Sequence, residues 1–266
     1  MTANSGSDHL FNHAIPPDQM TEACARFFSE HDQLMQLLIF VSELASRSDK
    51  VREIAAAALA KYDQQQGEPT LAQQPNLQSA SQTFRQHQQM LLEMTFCRNV
   101  DGFFVYVSEL LAAIFQAKPE TLKSAESVRL DLILSHTSMA DLIATLAETK
   151  VSKLSYQGMR DLVRYLAERM GLMLFADPQE FSDAVRVTET RNLIVHNRGK
   201  INRTFLTRVD SSTQAIGESV DLSGDSVLTD IELLARAVVD LEKQATSTFG
   251  LVTPMSRSQY QWSLNK

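Results

Sequence analysis

Cysteine is nearly absent from this chain: its 266 residues hold two, Cys24 and Cys97, with no near partner for either. Neither a disulfide framework nor a zinc site follows from such a pair, and both read as small core residues. Long hydrophobic runs are missing too, since no stretch of about 18 uncharged apolar residues is present to cross a membrane. Met1 to Asp8 lacks the basic start and apolar run of a secretion signal. The expectation is a soluble, cytoplasmic protein without a membrane partner. Phosphate-cradling and hydrolase motifs are also absent. There is no Walker loop, no strand followed by Gly-x-Gly-x-x-Gly, no His-Glu-x-x-His and no Gly-x-Ser-x-Gly. Kinase, ATPase, dehydrogenase, zinc-hydrolase and serine-hydrolase readings fall away, and neither cofactor nor metal is expected. A net charge of −7 and a pI near 5.4 argue against coating nucleic acid in bulk.

Helical periodicity dominates what is there. With 44% hydrophobic residues, the chain can bury one large core or two modest ones. Residues 1–16 read as a disordered start ending at Pro16-Pro17. Residues 17–63 read as a hairpin of two helices, the first running to about Arg47 and the second capped by Ser48 or Asp49. Residues 64–78, rich in glutamine and proline, read as a linker and mark a domain boundary. A helical domain spans 79–250, and 251–266 reads as a mobile tail. Within that domain Phe103 to Phe115 is apolar nearly all round and belongs at the core. Helices are expected at about 124–136, 138–148, 155–170, 179–197 and 226–249. Val209 and Ala215 to Leu222 are the best strand candidates, as a small β-hairpin.

One stretch carries chemistry. In Glu189-Thr190-Arg191-Asn192-Leu193-Ile194-Val195-His196-Asn197-Arg198-Gly199, three polar groups interrupt an apolar helical run. Asn192 and His196 lie four apart on one helix face, and Arg191 sits beside Asn192. Asn197 or Gly199 can end the helix in a left-handed cap, which puts His196 in the last turn. An arginine, an amide and a histidine together can handle a phosphodiester without a metal, the histidine as acid or base.

Arg191-Asn192-x-x-x-His196 resembles the signature of the HEPN superfamily (higher eukaryotes and prokaryotes nucleotide-binding domains). The resemblance implies an all-α, HEPN-like helical bundle preceded by the helical extension. It implies a metal-independent endoribonuclease of a toxin–antitoxin or phage-defence system, working on RNA through a composite site between two motifs in a homodimer. His196 would then move the proton of the ribose 2′-hydroxyl, Arg191 would clamp the phosphate, Asn192 would orient it, and the product would be a 2′,3′-cyclic phosphate. Members paired with nucleotidyltransferase antitoxins carry a tyrosine two residues past the histidine. Arg198 stands there in this chain, so control by modifying that tyrosine is not expected, although an antitoxin or other regulatory partner is.

Local charge fits a polyanion. From Arg186 to Arg208 six basic residues (Arg186, Arg191, Arg198, Lys200, Arg203 and Arg208) face the single acid Glu189. Arg198, Lys200 and Arg203 are the candidate RNA-phosphate contacts. Only Phe205 is aromatic nearby, which argues against an extended stacking platform for single strands. Glu189, Asp101 or Glu109 is placed to hold Arg191 by an ion pair, and His136 with Asp131 is a second acid/base candidate.

Two alternatives stay open on the residues alone. The arginine–histidine spacing occurs twice, and the copy from Arg26 to His31 has Phe27 in second position, which reads as core packing. Asn192 and His196 can also serve as helix caps or bridges in a non-catalytic interaction or RNA-binding module.

Overall fold

The computed structural model describes residues 14–66, 79–122, 128, 130–209 and 214–258. The start of the chain through residue 13, the expected linker beyond residue 66 and the tail beyond residue 258 lie outside the described residues. The fold is all-α. Helices α1 (Glu22–Gln66), α2 (Ala80–Ala117), α3 (Leu130–Ser135), α4 (Met139–Gln157), α5 (Met159–Tyr165), α6 (Pro178–Asn197), α7 (Arg203–Arg208) and α8 (Gly224–Phe249) follow one another. A short 3₁₀ turn lies at Pro119–Leu122, and α5 runs on through a wide π turn at Leu166–Met170.

Two compact units divide the chain differently from the boundary expected at 64–78. One comprises Met1–His31 with Phe96–Lys266, and the other Asp32–Thr95. The division falls inside α1 and α2.

The core of the first unit is built on the stretch of α2 that the sequence marks as apolar all round. Phe96, Phe103, Tyr106, Leu110, Ile114 and Phe115 are each at most 1% exposed. The same helix is, by length and composition, the one described helix apolar enough to cross a membrane. α6 adds Ala184, Val185 and Val187, and α8, which packs on α6, adds Val227, Ile231, Leu234, Val238 and Leu241. α8 begins at a reciprocal cap in which Ser223 and Ser226 each bond the other's backbone N–H. It ends at Gly250 in the left-handed conformation.

A carboxylate sits inside this core. Glu242 of α8 has no solvent exposure and accepts from the Thr21 N–H at 2.6 Å, the Thr21 hydroxyl at 3.1 Å and the Tyr106 hydroxyl at 3.0 Å. Burial raises its pKa above the ordinary carboxylate value, against the lowering effect of those hydrogen bonds. The segment just before Thr21 is held as well. β1 (Gln19–Met20) pairs antiparallel with β2 (Met255–Ser256), which lies within the segment expected as a tail.

The second unit corrects another expectation. α1 passes Ser48 and Asp49 without a break, because residues 22–66 contain neither glycine nor proline and Ala55 to Ala58 favour helix. The carboxylate of Asp49 is used across the unit, accepting from the N–H groups of Ala80 at 2.7 Å and Ser81 at 2.9 Å at the start of α2. Hydrogen bonds from Ser81 and then Ala80 hold that carboxyl below its ordinary range. Elsewhere the expected helix over 155–170 is split at Gly158, whose φ of 84° no helix accommodates. The expected strand hairpin of Val209 with residues 215–222 is also absent. Residues 217–220 bond to residues 199–201, with an isolated bridge between Lys200 and Ser219, while Val209 caps α7.

Glu242→Gln should keep the fold, since the two hydroxyls can accept from the new amide as readily as they donate. Glu242→Ala should lose at least about 2 kcal/mol, because it leaves buried donors unpaired. A raised folded-state pKa means that burial favours the protonated carboxyl. The stability this contributes is full below the ordinary carboxylate value and fades as pH rises through the raised one. Thermal melts from pH 4 upward should therefore show the Gln variant gaining on the parent, and a constant gap would refute the assignment.

Candidate active site

Local chemistry fixes both ends of the helix that carries the motif. The Asp177 carboxylate accepts from the Gln179 N–H at 2.8 Å, and Pro178 fills the first helical position. At the far end Arg198 is left-handed with φ 52°, the one non-glycine residue with positive φ among the described residues, and Gly199 follows at 69°. The Gly199 N–H closes on the Leu193 carbonyl at 2.9 Å, and the Asn197 amide donates to the Lys200 carbonyl. Below this corner Leu193, Ile201, Phe205 and Val209 are buried together, with Leu206 and Val220 packed on them. The last turn of α6 is thus anchored by its apolar side, which leaves its polar side open.

That polar side faces a cleft of about 770 Å³. Arg191, Asn192, His196 and Glu189 line it, together with Asp101, Ser108 and Glu109 of α2 and Asn202, Thr204 and Arg208 around α7. His196 is exposed and makes no hydrogen bond or ion pair among the described residues. Arg191 is different. Its side chain is 25% exposed, one terminal nitrogen lies 2.7 Å from the Asp101 carboxylate, and the other donates to the Asn192 side-chain oxygen at 3.2 Å. Its Nε–H is buried with no acceptor. Asp101 and Asn192 thus engage both terminal nitrogens, and an anion in the cleft meets the guanidinium through the N–H groups they leave over.

Of the three acids placed to hold Arg191, Asp101 is the partner. Glu189, 8% exposed, instead accepts from Arg208 at 2.9 Å, and Glu109 pairs with Arg26 at 3.2 Å. The basic segment is correspondingly less free than its count suggests. Arg186 makes a forked pair with buried Asp230 at 2.6 and 3.1 Å, and those bonds raise its pKa. Arg198, Lys200 and Arg203 are exposed but do not line the cleft, and the Lys200 ammonium donates to the Ser219 hydroxyl at 2.7 Å.

The other candidates are structural. His136 places Nδ1 2.7 Å from the Leu132 carbonyl and Nε2 2.8 Å from the Thr145 hydroxyl, outside the cleft. In the first arginine–histidine copy Phe27 is buried, Arg26 is an exposed partner of Glu22 and Glu109, and buried His31 sits 3.1 Å from the Asn99 side-chain oxygen. Ser108, Asn202 and Thr204 had no signal in the sequence, because separate elements bring them to the cleft.

Chemically the cleft offers an unengaged imidazole, a guanidinium paired with the Asp101 carboxylate that also lines it, and hydroxyl and amide groups. Among the described residues no group of three or more His, Cys, Asp and Glu side chains is placed to hold a metal ion. Compared with known proteins, the chain matches no protein family, no curated protein and no solved structure.

Proposed function

We propose that the chain is a metal-independent endoribonuclease of the HEPN type, acting on cytoplasmic RNA as a homodimer through the motif helix. One observation carries this reading: Arg191, Asn192 and His196 share one open cleft in which the imidazole is free and the guanidinium is restrained. His196 takes the proton of a ribose 2′-hydroxyl, and the 2′-oxygen attacks the adjacent phosphorus. The bond from phosphorus to the 5′-oxygen breaks, leaving a 2′,3′-cyclic phosphate and a 5′-hydroxyl. Arg191 stabilises charge on the non-bridging oxygens as it builds up. In the HEPN arrangement a second motif faces the first, and its histidine supplies the proton that the leaving oxygen needs. Exposed Arg198, Lys200 and Arg203 hold flanking phosphates at the end of α6. A toxin or phage-defence role, restrained by an antitoxin or regulatory partner, suits such an activity.

The ion pair between Arg191 and Asp101 favours a second reading, a non-catalytic interaction or RNA-binding module in which the arginine is a polar junction between α2 and α6.

Purified protein incubated with total RNA in EDTA separates the two. The nuclease reading expects cleavage in EDTA, a loss of about 10²–10⁴-fold in His196→Ala, and one of about 10²–10³-fold in Arg191→Ala. Because His196 is exposed, its alanine variant should keep the parent's stability to within about 0.5 kcal/mol. Undiminished cleavage by that variant contradicts the assignment, and so does activity abolished by EDTA. An inactive parent whose His196→Ala variant melts lower supports the interaction module. Asp101→Asn keeps a hydrogen-bond acceptor but removes the charge. It should lower cleavage less than either Arg191→Ala or His196→Ala, and an unchanged rate would remove Asp101 from the positioning role.

A further inference from the structure

Among the described residues of the unit Asp32–Thr95, burial is confined to Leu92 and Thr95 at its end. Among the described side chains from residue 32 to residue 91, none is buried. Two helices without a covered apolar face do not hold a helical pair together, since packing of that face supplies most helical stability. Apolar residues are nevertheless plentiful here, and their spacing is regular. One seam of α1 (Leu34, Leu38, Val41, Ala45 and Ser48) repeats at steps of four and three and is half-buried. A second seam beside it (Leu37, Phe40, Leu44, Val51 and Ile54) keeps the same steps, with Arg47 in the gap, and each of its apolar members is 52–65% exposed. Two adjacent seams of this period on one helix fit a bundle of more than two helices. On α2, Met90 and Met94 are 62% and 64% exposed. With Leu44 they border a groove of about 540 Å³ floored by Val41, Phe84 and Leu91.

We propose that this face docks against the same face of a second copy of the chain, the two helical pairs closing into a four-helix bundle. This does not rest on the nuclease reading. The face is both ridge and groove, as a two-fold contact of identical surfaces requires. A second copy also brings a seam of the same length and spacing. Covering the exposed seam and the two methionines removes on the order of 800 Å² per copy, the share each partner contributes to a stable interface of standard size. Charge permits it. No Asp, Glu, Lys or Arg lines the groove, and Arg47, which interrupts the second seam, is already paired with Glu43 at 2.9 Å. Residues 32–95 hold five basic and seven acidic residues, nearly balanced within a chain of net −7. A phosphate-bearing partner finds no lysine or arginine in the groove, where His87 is the one basic side chain, and an anionic lipid surface finds no excess of lysine or arginine around it.

Sedimentation equilibrium of the full chain tests this in a Val195→Glu background. That substitution charges an exposed position of the motif helix (49% exposed), so association there is read separately. The expected result is a dimer at micromolar concentration that Leu44→Glu with Met90→Glu weakens at least 100-fold. The parent should also show amide exchange across residues 37–54 and 84–94 that slows as protein concentration rises, a readout independent of any variant's folding. A monomer at 100-fold higher concentration in the Val195→Glu background overturns the proposal, as does a dimer indifferent to the Leu44 and Met90 changes. Exchange independent of concentration, or flotation of a monomeric chain on phosphatidylcholine–phosphatidylserine vesicles through this face, overturns it equally.

Discussion

A buried carboxylate ties the first unit together. Glu242 has no solvent to solvate it, so its three donors must stay in place, and they come from the start of α1 and the middle of α2. Removing any one leaves a polar group unpaired in a closely packed apolar region. That requirement fixes α8 against α2, and the contact of α8 with α6 then sets where the motif helix lies. Asp230, also on α8, adds a second tether by accepting the fork of Arg186 from α6. The cleft is thus positioned by buried polar contacts and opened by what the last turn of α6 leaves exposed.

Restraint of Arg191 and freedom of His196 are two parts of one arrangement. A guanidinium held by Asp101 and Asn192 has less freedom left to lose on meeting an anion. An imidazole in solvent at a helix end is placed for proton exchange with whatever enters. The left-handed turn at Arg198 and Gly199 stops the helix just after that histidine. Without the stop, a further helical turn would run past it.

Elements with local signals were legible in the sequence. Asp177-Pro178 and the turn at Gly199 bound the motif helix to within a residue of Pro178–Asn197, and the apolar run of α2 is the core. Long-range partners were not legible. Three acids suited Arg191, and only packing across some ninety positions selects Asp101. Ser48 and Asp49 carry cap-forming side chains, yet the helix continues and Asp49 caps a different one. The positive segment looked freer than it is, because Asp230 and Glu189 neutralise two of its arginines from inside the fold. Glu242 gave no sign of its role, since burial of a carboxylate depends on donors more than a hundred positions away.

The transesterification proposed for this cleft would leave a specific mark on its product. Mass spectrometry of a short single-stranded RNA after incubation with the protein in EDTA reads it directly. Fragments ending in a 2′,3′-cyclic phosphate are expected, each paired with a fragment bearing a 5′-hydroxyl. Fragments with a 3′-hydroxyl and a 5′-phosphate would contradict it, because attack by the neighbouring 2′-oxygen cannot produce them.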